Sequence, residues 1–181
     1  MNAYKTGTTT VGIVAKDGIV LAADMQATLG HLSSNKEMTK IYKINNHLAV
    51  TVAGSVGDAL VLVRFLRVQS NLYELEHKKP MNTTACATLL SNILNANKMM
   101  PYFTQFILAG SVDRQSLYSL DVAGGLIEEK EVEIILPQML PKEVEYFKYT
   151  FVQNALDVCD YENIKFSQIY SKNKQNNKSK Q

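Results

Sequence analysis

Apolar residues along this chain fall into a two-residue rhythm in some stretches and a helical rhythm in others. Thr8–Ala15 and Gly18–Asp24 read as β-strands joined at Lys16-Asp17-Gly18, an Asp-Gly hairpin signal. Ile41–Ile44 and Leu48–Ala53 form a second strand pair around the turn residues Asn45-Asn46. Between the pairs, Ala27–Thr39 is polar and mixed, which predicts a loop. Asp58–Glu76 is helical, with Leu62, Phe65, Leu66, Leu72 and Tyr73 recurring at helical spacing until Lys78-Lys79-Pro80 breaks it. A second helix runs from about Thr84 to Lys98, with Ala87, Leu90 and Leu94 on one face, and stops before Pro101. Phe103–Ala109 and Leu117–Leu120 are further strands. Pro141 opens a third helix whose face is Val144, Phe147, Phe151, Ala155 and Val158, and Ile164–Tyr170 is a last strand.

Neighbouring long helices cannot each be the crossover of a βαβ unit. Periodicity therefore predicts a mixed chain of α+β type. Two antiparallel sheets facing each other, with helices outside, would bury both sheet faces. No internal repeat is present.

Composition narrows the function classes. A length of 181 residues, 46% of them hydrophobic, predicts one domain with a sizeable core. No apolar run approaches the ~20 residues that span a bilayer, so no membrane association is expected. Residues 1–7 carry one Lys and no apolar h-region, unlike a secretory signal. Cys86 and Cys159 lack metal-ligand spacing and read as small buried hydrophobes in a reducing compartment. His31, His47 and His77 lie apart in sequence. No metal or cofactor is expected.

The formal charge of +2 is carried by the tail 171–181, which holds Lys172, Lys174, Lys178 and Lys180 and no acid. Without those four lysines, 15 basic residues stand against 17 acidic ones, a body of net −2. The polar tail lacks apolar anchors and is expected to be disordered. Its lysines have no interleaved aromatics, so no nucleic-acid partner is expected.

The chemistry centres on Gly7-Thr8-Thr9-Thr10. A hydroxyl needs a base to become a nucleophile. A terminal Thr supplies one, its own α-amine, whose reference pKa is ~7.7–8.0. That amine exists only after the Gly7–Thr8 bond is broken, so Met1–Gly7 would be a leader that holds the chain inactive. Glycine at the scissile bond makes a strained turn cheap. Taken alone, the same four residues are also a common strand start. A buried cation near the hydroxyl would stabilise developing negative charge, and spacing alone leaves Lys36, Lys40 and Lys43 open.

The wider pattern decides. Gly18-Ile19-Val20-Leu21-Ala22-Ala23-Asp24, Lys40 before Ile41-Tyr42-Lys43-Ile44, Val52-Ala53-Gly54-Ser55-Val56-Gly57-Asp58, and Ser119-Leu120-Asp121-Val122-Ala123-Gly124-Gly125 follow in order. Together with Thr8 they resemble a proteasome β-type subunit, most like the archaeal ones of the 20S core. The likeness is dense from Gly7 to about Gly125 and weak beyond.

That resemblance implies the four-layer αββα sandwich of N-terminal nucleophile hydrolases, with a shortened C-terminal half. It implies a threonine endopeptidase with Thr8 as nucleophile after self-cleavage of Gly7–Thr8. Lys40 would be its cationic partner, Asp24 the anion that orients Lys40, and the Gly54 amide a donor to the oxyanion. Thr28, Gly54 and Val56 would pair with an extended substrate. Ala27, Val52 and Val56 would line a small apolar specificity pocket, favouring cleavage after apolar residues.

The sequence also departs from the pattern. Gln26 stands where the family usually has Arg, and Gly125 leads into Leu126–Leu136 with no Ser-Gly-Ser. Under the resemblance, Asp160 would be the remnant of the downstream Asp that supports the terminal Thr in the family, with Glu162 or Asn163 where Ser is expected.

Implied partners are seven-membered β-rings, α-subunit rings, a ring ATPase and unfolded polypeptide, all in the cytoplasm. The competing expectation is a non-catalytic structural β-type subunit. A self-processing amidohydrolase on the same fold would want charged substrate anchors, and none surround Val52-Ala53-Gly54.

Overall fold

The computed structural model describes residues 8–15, 18–23, 27–29, 32–35, 38–130 and 132–135. Three antiparallel sheets and two helices make up this part. Strands β1 (Thr10–Ala15) and β2 (Gly18–Ala23) form the predicted hairpin, paired from Thr10↔Ala23 to Ala15↔Gly18. Strands β3 (Ala27–Leu29) and β4 (Leu32–Asn35) form a small hairpin where a loop was predicted. Polar side chains such as Ser33, Ser34 and Asn35 leave no strand rhythm to read, yet backbone pairing does not require one.

A five-stranded sheet follows. Its order is β5 (Ile41–Lys43), β6 (Leu48–Gly54), β7 (Thr104–Gly110), β8 (Ser116–Leu120) and β9 (Leu126–Glu129). Strand β10 (Val132–Ile135) then crosses to the first sheet and pairs with β1, giving the order β10-β1-β2. Neither β9 nor β10 was predicted, because glutamates interrupt the apolar pattern of 126–135. Two of these acids are accommodated by pairing. Glu128 bridges to Arg114 at 2.6 Å, and Glu129 accepts from the Ser119 hydroxyl at 3.0 Å.

Strand β6 is buried on both faces and sorts its residues by the two-residue period. Leu48, Val50 and Val52 join Phe106, Leu108, Tyr118 and Leu120 in one apolar cluster with the helices α1 (Val56–His77) and α2 (Thr83–Ala96). Ala49 joins Ile107, Ala109 and Leu117 on the opposite face, against Ile19 and Leu21 of β2. The two larger sheets therefore face each other, with the helices outside the five-stranded one. The far face of the small sheet carries Val11, Ile13, Val20 and Ala22, which are also buried. The third helix from Pro141 and the strand Ile164–Tyr170 lie outside the described residues, as does the tail.

Helix α1 starts as its cap requires. The Ser55 hydroxyl accepts from the Asp58 amide at 3.5 Å. It ends at Lys78, whose left-handed φ of 56° and N–H to the Glu74 carbonyl stop the helix beside Pro80. Its buried stripe is Ala59, Leu62, Val63, Leu66 and Ser70. The predicted face was partly wrong: Phe65 and Leu72 are exposed. Apolar residues occupy two sides of this helix, so periodicity alone could not choose between them. Asn82 caps α2, accepting from the Ala85 amide at 2.8 Å. Cys86, Ala87, Leu90 and Leu94 form its buried face, adding Cys86 to the predicted one.

The two sheets pack closely at Gly12. A Cβ there would lie 2.7 Å from Leu117 Cδ1 and 2.9 Å from Ile107 Cγ2, both fully buried side chains with no room to swing. Gly12→Val should therefore destabilise the fold by ~1–3 kcal/mol through overpacking. A lower urea midpoint with an unchanged slope would report it; an unchanged midpoint would mean that the sheets can separate freely.

Candidate active site

Thr8 lies two residues before β1, half-buried. Strand β1 anchors it through Thr10, which is fully buried and whose hydroxyl donates to the Ala22 carbonyl at 3.2 Å. Lys40 arrives from the other sheet. It is the residue before β5, and its carbonyl accepts from the Val52 amide at 3.0 Å, extending the β5–β6 ladder by one step. Tyr42 tightens this approach, because its hydroxyl donates to the Thr39 carbonyl at 2.6 Å. Burial pushes the Tyr42 hydroxyl pKa up, and the Arg67 guanidinium partly offsets the rise. The result is a lysine only 5% exposed, with Nζ donating to Thr8 Oγ1 at 3.1 Å.

Two side chains 32 positions apart thus meet across the sheet interface. Of the rival lysines, Lys43 is exposed and Lys36 lies outside the described residues. Asp24 follows Ala23, the partner of Thr10, but also lies outside them, as do Gly7 and Asp160. Strand β1 is flanked by β10 over Thr10–Ile13 and by β2 on its other edge.

Gly54 ends β6 with φ +110°, and a Cβ there would strike the Phe103 carbonyl oxygen. Only glycine tolerates both conditions at once. Ser55 is held next to it, its N–H donating to the same Phe103 carbonyl at 2.7 Å. Val56, the first residue of α1, is 37% exposed. Val52 lies across from Lys40 in the ladder and packs in the cluster with α1. Ala27 and Thr28 lie in β3, opposite Asn35 and Ser33.

In the motif Ser119–Gly125, Ser119 and Leu120 end β8 and Asp121–Gly125 make the turn to β9. Asp121 Oδ1 accepts from the Ala123 and Gly125 amides, both at 2.8 Å, and the Ser91 hydroxyl ties the Gly124 carbonyl to α2 at 2.6 Å. Cys86 is fully buried, and burial pushes its thiol pKa up to about 12, which removes it as a nucleophile. Among the described residues, no three His, Cys, Asp or Glu side chains cluster as metal ligands. No helix among them is long and apolar enough to cross a membrane.

Sequence reasoning missed Tyr42 and Phe103 as parts of this site. Phe103 acts through its backbone, which leaves no signal in residue type. Asp58 carried a signal in Ser55-Val56-Gly57-Asp58, the spacing of a helix cap box.

Comparison with known proteins identifies the family of the chain. The family model for proteasome subunits matches residues 4–135. Proteasome subunit beta 1 of Thermococcus onnurineus is 53% identical over 124 residues, 68% of this chain and 61% of that protein. Proteasome subunit beta 2 of the same organism is 54% identical over 127 residues, 70% of this chain and 64% of that protein. Proteasome subunit beta of Methanocaldococcus vulcanius is 48% identical over 126 residues, 68% of this chain and 56% of that protein. The chain belongs to the proteasome subunit family, as a β-type subunit. It spans about six tenths of the length of the relatives it matches, and the family match runs to residue 135, ten residues beyond the likeness read from motifs.

Proposed function

We propose that this chain is a threonine-type endopeptidase subunit of a proteasome core. The carrying observation is the Lys40 Nζ to Thr8 Oγ1 hydrogen bond of 3.1 Å, made by a buried lysine. In the uncleaved chain, Thr8 Oγ1 would attack the Gly7 carbonyl. Its proton leaves to a base, the Gly7–Thr8 C–N bond breaks as the nitrogen takes a proton, and the Thr8 amine is freed with the leader held as an ester on Oγ1. Water then hydrolyses that ester and releases Met1–Gly7. That amine then takes the hydroxyl proton during attack on a substrate carbonyl. The Lys40 ammonium stabilises the oxygen as negative charge develops. Asp24 orients Lys40, the Gly54 amide donates to the oxyanion, and Asp160 braces the new amine. Ala27, Thr28, Val52 and Val56 hold the substrate strand and an apolar side chain beside the cleaved bond.

Burial of both faces of the small sheet supports the four-layer αββα arrangement, which needs a covering layer on each side. Seven-membered rings closed by α-type rings and fed by an ATPase would keep a broad peptidase away from folded protein. The structural-subunit reading draws support from residues 126–135. No Ser-Gly-Ser follows Gly125, and β9 and β10 occupy that stretch.

Intact mass of the chain co-assembled with α-type subunits, alongside hydrolysis of a peptide ending in an apolar residue, separates the two. Loss of Met1–Gly7 together with turnover is the expected result. A chain that assembles, keeps its leader and hydrolyses nothing is the structural subunit.

A further inference from the structure

The start of α1 departs from an ordinary helix cap in one respect. In a cap box, the N-cap hydroxyl accepts from the amide three residues on, and the acid at that third position reaches back to the N-cap amide. Ser55 and Asp58 make the first half of that exchange. The second half is diverted through Phe103. The Ser55 amide donates to the Phe103 carbonyl at 2.7 Å, and the Phe103 amide donates to Asp58 Oδ2 at 3.0 Å. A backbone segment from before β7 is thus inserted between the two halves of the box. Both the N–H and the C=O of Phe103 are engaged, although its side chain is 70% exposed and apolar packing does little to hold it. The same carbonyl oxygen occupies the space where Gly54 would carry a Cβ. The conformation of Gly54, at φ +110°, is therefore set against a backbone that Asp58 holds in place.

We propose that Asp58 is a positioning residue for the reaction: by clamping the Phe103 backbone it fixes the direction of the Gly54 peptide at the end of β6. The proposal rests on the peptidase reading for its catalytic consequence, but the clamp has a readout of its own. A donor aimed at the oxyanion acts in the transition state and not on bound substrate, so misdirecting it lowers kcat and leaves KM nearly unchanged.

Asp58→Ala removes the acceptor, whereas Asp58→Asn keeps an oxygen that can take the Phe103 amide. Both are made in the full chain co-assembled with α-type subunits. With Asp58→Ala, kcat for an apolar-ended peptide should fall ~10–100-fold and KM move less than about twofold. Asp58→Asn should stay within about threefold of the unaltered chain, because the hydrogen bond is restored. Amide exchange of the Gly54–Ser55 and Phe103–Thr104 peptides should rise about tenfold in Asp58→Ala alone, with α2 unchanged.

Unchanged exchange at Gly54–Ser55, an Asn variant as impaired as the Ala variant, or general loosening that includes α2 would each overturn the positioning role. An unaltered chain without turnover, in which Asp58→Ala still speeds exchange at Gly54–Ser55, would overturn the peptidase reading and support the clamp.

Discussion

Thr8→Ala should leave Met1–Gly7 attached to the chain and lower peptide hydrolysis more than about 10³-fold. One hydroxyl serves both reactions in the proposed mechanism. It attacks the Gly7 carbonyl during maturation and the substrate carbonyl afterwards. In the structure it is the group on which the buried Lys40 ammonium is aimed, at 3.1 Å. The Thr10 hydroxyl is committed to the Ala22 carbonyl, and the Cys86 thiol is sealed in α2, so neither replaces it. Thr8→Ser keeps the oxygen but loses the methyl that restricts χ1, so partial activity is expected. Intact mass and hydrolysis of a fluorogenic peptide read both outcomes. Normal removal of the leader in Thr8→Ala would sink the self-cleavage mechanism.

Lys40→Ala should lower turnover on the order of 10³-fold while rings still assemble. Its carbonyl, not its side chain, carries the ladder bond from the Val52 amide, so the β5–β6 pairing survives the substitution. The lost interaction is the ammonium of a buried lysine beside the half-buried Thr8 Oγ1, where a charge acts more strongly than in bulk water. Lys36→Ala and Lys43→Ala are the controls and should change turnover little; the Lys43 side chain already faces solvent. Equal losses in Lys40→Ala and Lys43→Ala, with assembly intact, would mean that the segment acts as a folding unit and that Lys40 has no special role.

The strands β1, β2, β5, β6, β7 and β8 and both described helices were legible because each has a local signature. Gly18 ends a tight turn, β-branched runs mark the strands, and Ser55 and Asn82 cap the helices. The hairpin β3–β4 and the strands β9 and β10 were not legible. Polar or acidic residues break up their short apolar runs, and what makes them strands is backbone pairing with a neighbouring strand or, for β10, with the distant β1. The exposed face of α1 was misjudged for a related reason: Phe65 and Leu72 are as apolar as Leu62 and Leu66, and only the position of the sheet distinguishes them.

By itself, the sequence determined which chemical groups are present and how they are spaced. A Gly-Thr junction precedes a strand, a lysine precedes the strand Ile41–Lys43, and a glycine closes β6 before a helix cap. These features follow from local backbone preference, which each stretch carries within itself. The tertiary structure alone decided which groups meet. It brought Lys40 to Thr8 across 32 positions by setting the β1–β2 hairpin against the five-stranded sheet. It brought the Phe103 backbone to Asp58 across 45 positions, beside a glycine that leaves room for it. Such contacts depend on the register and stacking of whole sheets, which are set by burying apolar faces together and are not written in any single segment.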